Sequence, residues 1–131
     1  MGDKILVVDD EVSMREMMFH ALGDGGYDVL LAEGSEEALN LVDHEDIAII
    51  FLDLKLFGMN GIELCREIRK RKPMCILVAM TGWSGLFEIE ECREAGFDDY
   101  FTKPLKLDDI YKSIEESLRK QTRWKRAYAR L

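Results

Sequence analysis

The sequence predicts an α/β domain: a five-stranded parallel sheet with helices packed on both of its faces. Two observations carry this. Five apolar runs of strand length alternate with segments of helical periodicity, the pattern of repeated βα units. The third run, Ile47-Ala48-Ile49-Ile50-Phe51-Leu52, is apolar at every position, which fits a strand covered on both faces. Right-handed crossovers then leave few topologies.

The elements follow in order. Ile5-Leu6-Val7-Val8 is the first strand and ends abruptly at Asp9-Asp10. Ser13, with Glu16 three residues on, reads as a capping box opening the first helix. That helix carries Met14, Met17, Met18, Ala21 and Leu22 on one face, a core stripe rather than a cofactor box, and the glycines within 23–26 stop it. Tyr27 to Ala32 is the second strand. A short helix from Ser35 to about His44 turns Ala38, Leu39 and Val42 inward. The third strand, 47–52, ends at Asp53. After a loop from Leu54 to Gly58, a helix from about Asn60 to Arg71 buries Ile62, Cys65 and Ile68, and Pro73 breaks it. Cys75 to Met80 is the fourth strand, ending at Thr81. A helix closing at Ala95-Gly96 leads to a short fifth strand, Tyr100-Phe101-Thr102, which ends at Lys103-Pro104. Leu107, Ile110, Tyr111, Ile114 and Leu118, spaced by three and four, mark the last helix.

In parallel sheets of this kind the ligand site lies beyond the carboxyl ends of the strands. Those ends carry Asp9 and Asp10, Asp53, Thr81 and Lys103. Three carboxylates at one edge repel one another, and a cation relieves that repulsion. An all-oxygen donor set suits Mg²⁺ or Mn²⁺ rather than zinc. A metal, the Lys103 ammonium and the Thr81 hydroxyl can together hold the three equatorial oxygens of a transferring phosphoryl group. One carboxylate is then the nucleophile, and Asp53, ending the central strand, is the best placed.

Val7-Val8-Asp9-Asp10-Glu11, Leu52-Asp53-Leu54, Gly58-Met59-Asn60-Gly61, Met80-Thr81-Gly82 and the run from Ala95-Gly96 to Tyr100-Phe101-Thr102-Lys103-Pro104 occur in one order, with the acidic, hydroxyl and lysine positions at strand ends. In this the chain resembles the receiver domains of two-component response regulators, from residue 4 to about 118, of the chemotaxis-regulator-like kind. The resemblance implies a flavodoxin-like, doubly wound sheet of order 2-1-3-4-5 with five helices. It also implies a phosphoacceptor switch, not a turnover enzyme, phosphorylated on Asp53 by a sensor histidine kinase or a phosphotransfer protein. Asp10, Asp53 and the backbone carbonyl of Lys55 would bind Mg²⁺, with Asp9 acting mainly through metal-bound water. Thr81 and Lys103 would grip the phosphoryl oxygens, and Gly82 would leave the backbone open beside them. Thr81 and an inward-turning Tyr100 would then alter the surface of the fourth helix, fifth strand and fifth helix, where a downstream partner reads the state.

Two features depart from that pattern or tune it. The loop after Asp53 has Leu56-Phe57 where the family usually has Met-Pro, so φ is freer there. Lys55 and Trp83, each two residues past a site residue, flank the path of an attacking water, and Trp83 is expected to shield the acyl phosphate.

Composition sets the outer bounds. At 131 residues, 47% hydrophobic and 34% charged, the chain reads as one globular domain. No apolar run reaches membrane-spanning length, and the N-terminus lacks a signal-peptide pattern. Gly2 is not followed by a myristoylation pattern, because Leu6 stands where Ser or Thr is needed. Cys65, Cys75 and Cys92 show no C-x-x-C spacing and read as buried thiols in a reducing, cytoplasmic compartment. His20 and His44 are isolated surface or boundary residues. The net charge is −8, but 119–131 holds six basic residues and no acidic one, leaving a formal −14 in 1–118. So acidic a body argues against direct nucleic-acid binding.

Rival readings fail on particular residues. A haloacid-dehalogenase-type phosphatase needs a second carboxylate two residues after the nucleophile, where this chain has Lys55. A nucleotide-binding domain needs a Gly-rich loop after the first strand, and a flavodoxin fails at the same acidic loop. No helix-turn-helix or catalytic pattern follows the receiver, which reads as standing alone; the alternative is a piece of a longer DNA-binding or enzymatic regulator. In 119–131, Trp124, Ala127, Tyr128 and Leu131 share one face at helical spacing. Two readings stay open: a solvated helix end or linker, and a docking helix for an acidic partner or for a second copy in a homodimer.

Overall fold

A computed structural model describes residues 2–56, 59–82 and 86–131. Five strands, β1 (Lys4–Val8), β2 (Asp28–Ala32), β3 (Ile49–Asp53), β4 (Ile76–Thr81) and β5 (Asp99–Thr102), alternate with five helices. The helices are α1 (Val12–Asp24), α2 (Ser35–His44), α3 (Gly61–Arg71), α4 (Leu86–Ala95) and α5 (Leu107–Ala129). The sheet is wholly parallel in the order β2-β1-β3-β4-β5, so the switch point falls between β1 and β3.

Side chains alternate across the strands, and the two faces separate cleanly. Leu6, Val8, Ile50, Leu52, Leu77 and Ala79 point to the face covered by α2, α3 and α4, where they meet Val42, Leu64, Ile68 and Cys92. Ile5, Val7, Ile49, Phe51, Val78 and Met80 point to the other, against Met18 and Leu22 of α1 and Ile110 and Ile114 of α5. Every residue of β3 and β4 is buried. Burial on both faces is why these strands carry continuous apolar runs rather than an alternating pattern.

Element boundaries differ from the sequence reading where side chains intervene. Ser13 does not cap α1: the N-cap is Glu11, because the Asp9 carboxylate accepts from Glu11 N at 2.9 Å and Arg15 N already donates to Glu11 O at 3.2 Å. β3 begins at Ile49 and includes Asp53, so Asp53 ends the strand from within it. Leu64 is buried in α3 beside Cys65 and Ile68, whereas Ile62 is half-buried. α1 runs through Gly23, and the left-handed residue that turns the chain is Gly26 at φ +90°. α5 continues without a break through the basic segment to Ala129.

Candidate functional site

The carboxyl ends of β1, β3, β4 and β5 bring together residues far apart in the chain. Asp9 follows β1 and is fully buried, while Asp53 and Thr81 close β3 and β4 at 5% and 2% exposure. Lys103 follows β5, and its N–H donates to Thr81 O at 2.7 Å, which fixes where its side chain starts. From there the ammonium reaches across the sheet edge to Asp9 Oδ2 at 2.9 Å and Asp53 Oδ2 at 3.3 Å. Glu11 Oε1 lies 3.6 Å away.

One carboxylate oxygen from each of Asp9, Asp10, Glu11 and Asp53 lies within 4.8 Å of the other three. Four acids face one ammonium, and oxygens so grouped suit a hard divalent cation. The backbone anchors two of the carboxylates: Asp53 Oδ1 accepts from Lys55 N at 3.1 Å, and Asp9 Oδ1 accepts from Glu11 N at 2.9 Å. The environment acts on both charge types. Burial pushes the Asp53 carboxyl above the ordinary aspartate value; the Lys55 N–H and the Lys103 charge pull it down, the Asp9 charge pushes it up, and the net is a rise. At Lys103 burial opposes the charge, but the hydrogen bond to Asp9 and the two carboxylates outweigh it and raise the pKa.

Of the other residues singled out in the sequence, Gly82 follows Thr81 at the end of β4, and a Cβ there would meet nothing within 4 Å among the described residues. Lys55 is exposed, with its N–H turned to Asp53. Tyr100 is half-buried on β5 against the α2–α4 side of the core, and its hydroxyl has no hydrogen-bond partner among the described residues. Trp83 and Phe57 lie outside the described residues. The structure adds four residues the sequence did not single out for the site. Glu11 joins the carboxylate cluster. Arg15 donates to the Asp9 carbonyl at 2.7 Å. Ser35 Oγ accepts from Met59 N at 3.2 Å, and Gly61 N donates to Leu54 O at 3.0 Å, so both brace the loop after Asp53. At Gly61 a Cβ would stand 2.6 Å from Leu54 Cα; only glycine allows α3 to start so close to β3.

Fold and site together define a doubly wound α/β domain whose strand ends hold an acidic, cation-competent cluster with the Lys103 ammonium set against it. The chain belongs to the response regulator receiver domain family, whose profile it matches over residues 5–115, and it is a receiver domain of two-component signalling. It is 37% identical over 120 residues to the alkaline phosphatase synthesis transcriptional regulatory protein PhoP of Bacillus subtilis, covering 92% of this chain and 50% of that protein. It is 34% identical over 115 residues to a cyclic di-GMP phosphodiesterase of Thermotoga maritima, covering 88% of this chain and 31% of that one. The chain thus spans half or less of these relatives. Among solved structures it superposes with TM-score 0.90 on a CheY-like receiver domain protein from Methanospirillum hungatei, at 29% identity over 94% of this chain and 98% of that one. NtrX from Brucella abortus also gives 0.90, at 28% identity over 98% of this chain and 30% of that one. The family is a phosphoacceptor switch that binds Mg²⁺ at an acidic pocket. No described helix is long and apolar enough to cross a membrane.

Proposed function

We propose that Asp53 is the phosphoacceptor of this chain. The observation that carries the reading is the near-buried Asp53 carboxylate at the end of the central strand, 3.3 Å from the Lys103 ammonium and grouped with three further acids. A carboxylate oxygen of Asp53 attacks the phosphorus of a phosphohistidine on a sensor kinase or phosphotransfer protein. The P–N bond breaks, the imidazole leaves with the electron pair, and an acyl phosphate forms on Asp53. Mg²⁺ or Mn²⁺ supplies charge neutralisation for the incoming phosphoryl oxygens. Asp10, Asp53 and the Lys55 carbonyl would hold it directly, with Asp9 acting through water. Lys103 exchanges its contact with Asp53 for one to a phosphoryl oxygen, and Thr81 donates its hydroxyl to another beside the open backbone of Gly82. Lys55 and Trp83 set the lifetime of the acyl phosphate. Tyr100 couples the site to the α4-β5-α5 surface, where a downstream partner or output domain reads it. Histidine kinases are the donors, which puts the switch in the cytoplasm.

Incubation with acetyl phosphate and Mg²⁺ tests the assignment. The intact mass should rise by one phosphoryl group, labile to hydroxylamine, in the native chain and not in Asp53→Asn. Equal labelling of that variant would move the acceptor elsewhere.

A further inference from the structure

We propose that the corner between the tail of α5 and the turn joining α3 to β4 is a docking site for an acidic, amphipathic helix of a partner protein. Its first wall is α5 itself. Ile110, Ile114, Ser117 and Gln121 are buried along it at spacings of four, three and four. The same stripe continues through Trp124, Tyr128 and Leu131, but there the exposure is 60%, 74% and 102%. The face that seats α5 on the body thus runs on for about 12 Å past Gln121, open to solvent. The second wall is the turn. Where the two meet, a cavity of about 260 Å³ is lined by Arg69, Pro73, Met74, Ile76, Lys120 and Trp124. Hydrogen bonds hold both walls in place. Arg69 donates to Pro73 O at 2.9 Å, Cys75 O at 2.6 Å and Asp98 Oδ2 at 3.0 Å, fastening the turn to the start of β5. Gln121 donates to Met74 O at 2.9 Å and fastens α5 to the same turn. A corner built in advance spares its ligand the cost of ordering it.

Charge decides the occupant. Lys70 and Lys72 end α3 beside the turn, and Lys120, Arg123, Lys125 and Arg126 lie on the tail, where no acid occurs from 119 to 131. None of these six has an ion pair among the described residues. The acid on the wall, Asp98, is already held by Arg69 and by Leu77 N at 2.9 Å. An apolar floor between two unpaired basic rims takes apolar anchors flanked by carboxylates. Arg123 and Lys125 stand about 100° to either side of Trp124 around the helix, placed to meet acids on both shoulders of a docked segment. Shape narrows the class further. The body lies on the side toward which the stripe turns, so a flat bilayer laid on that stripe would run into the foot of the sheet. A helix about 10 Å across seats in such a corner. A duplex would answer the cations, but it leaves the stripe unmatched and brings phosphates toward a body of formal charge −14 over 1–118.

The corner stands at the amino ends of the strands, away from Asp53 at their carboxyl ends, so it takes nothing from the phosphoryl chemistry. Fluorescence anisotropy tests it with a labelled synthetic peptide, an amphipathic helix of about four turns with leucine at every third or fourth position and glutamate elsewhere. The native chain should bind it in the micromolar range, more weakly at high salt. It should not bind the same peptide with lysine for glutamate or with serine for leucine. Trp124→Ala, and Lys120→Glu with Arg123→Glu, should each weaken binding about tenfold. Lys70→Glu with Lys72→Glu should do the same while leaving the tail intact, which separates a built corner from an adhesive tail. Every variant should still label on Asp53 at the native rate. A native chain that does not bind the acidic peptide, or binding that survives Lys70→Glu with Lys72→Glu, would overturn the proposal. So would equal or tighter binding to phosphatidylserine vesicles or to duplex DNA.

Discussion

The Lys103 ammonium lies 3.3 Å from the Asp53 carboxylate across 50 residues of chain, and at 2.9 Å it also holds the fully buried Asp9. It is thus the cation described against a cluster of four acids. Replacing it by alanine leaves buried carboxylates unpaired, a loss of about 3–5 kcal/mol where no relaxation intervenes. Lys103→Ala should therefore show a lower urea midpoint at neutral pH, recovered in part by millimolar Mg²⁺. Acetyl phosphate labelling should slow at least tenfold. An unchanged midpoint without metal would mean that the ion pair contributes nothing.

Asp53 makes the metal-free domain sensitive to pH in an unusual direction. Burial raises its pKa in the folded state above the ordinary 3.8, so in the interval between those values the native state binds more protons than the unfolded chain. Stability then falls as pH rises through that interval. Urea titrations in EDTA should show this fall from pH 3.8 upward, and Asp53→Asn should remove its share. With Mg²⁺ present the native state gains cation binding as Asp53 ionises, so the slope should flatten or reverse.

Much of this arrangement was legible in the sequence, because strand ends are marked by where apolar runs stop. Asp9, Asp53, Thr81 and Lys103 all stand at such stops, and the sheet brings them together. The order of strands was not legible from periodicity alone; it came with the motif resemblance. The supports of the site were hidden for a different reason. Ser35 and Met59 are 24 residues apart, and a serine that opens a helix gives no sign of which distant N–H it will meet. Arg15 looks like an ordinary helix surface residue until the first turn of α1 carries it onto the Asp9 carbonyl. The capping box at Ser13 misled because Asp9 starts the helix earlier from outside it.

Gly61 is a steric requirement rather than a loop preference. A methyl group there would meet Leu54 Cα at 2.6 Å, so Gly61→Ala must push α3 away from the residue after Asp53. Overpacking of this kind costs about 1–3 kcal/mol. The displacement also disturbs the loop that presents the Lys55 N–H to Asp53. Gly61→Ala should lower both thermal stability and the acetyl phosphate labelling rate, whereas Gly82→Ala, whose Cβ meets none of the described residues within 4 Å, should leave stability within about 0.5 kcal/mol.

The three thiols are expected to be silent in the folded state. Burial pushes Cys65 and Cys75 up to about 12 and Cys92 to about 11, and only the thiolate is nucleophilic. Iodoacetamide at pH 8 should modify none of them in the native protein and all of them in guanidinium. Rapid native labelling of Cys92 would reveal local opening between α4 and β5.

Gln121 ties the extended part of α5 to the body. Its side-chain amide, 6% exposed, donates to Ala48 O at 3.2 Å and to Met74 O at 2.9 Å, pinning the helix to the approaches of β3 and β4. Beyond it, side chains from residue 122 to the end are exposed, so Gln121 is the last buried attachment before the tail leaves the sheet. Gln121→Ala removes one donor from the Ala48 carbonyl, which keeps the Ile76 N–H, and one from the part-buried Met74 carbonyl, at about 1 kcal/mol each. The loss falls on the end of the helix rather than on the phosphoryl site at the opposite edge of the sheet. Hydrogen exchange in Gln121→Ala should therefore accelerate across 118–129 while Asp53 labelling keeps its native rate. Uniform acceleration through β1, β3 and β4 would instead make Gln121 a support of the whole core.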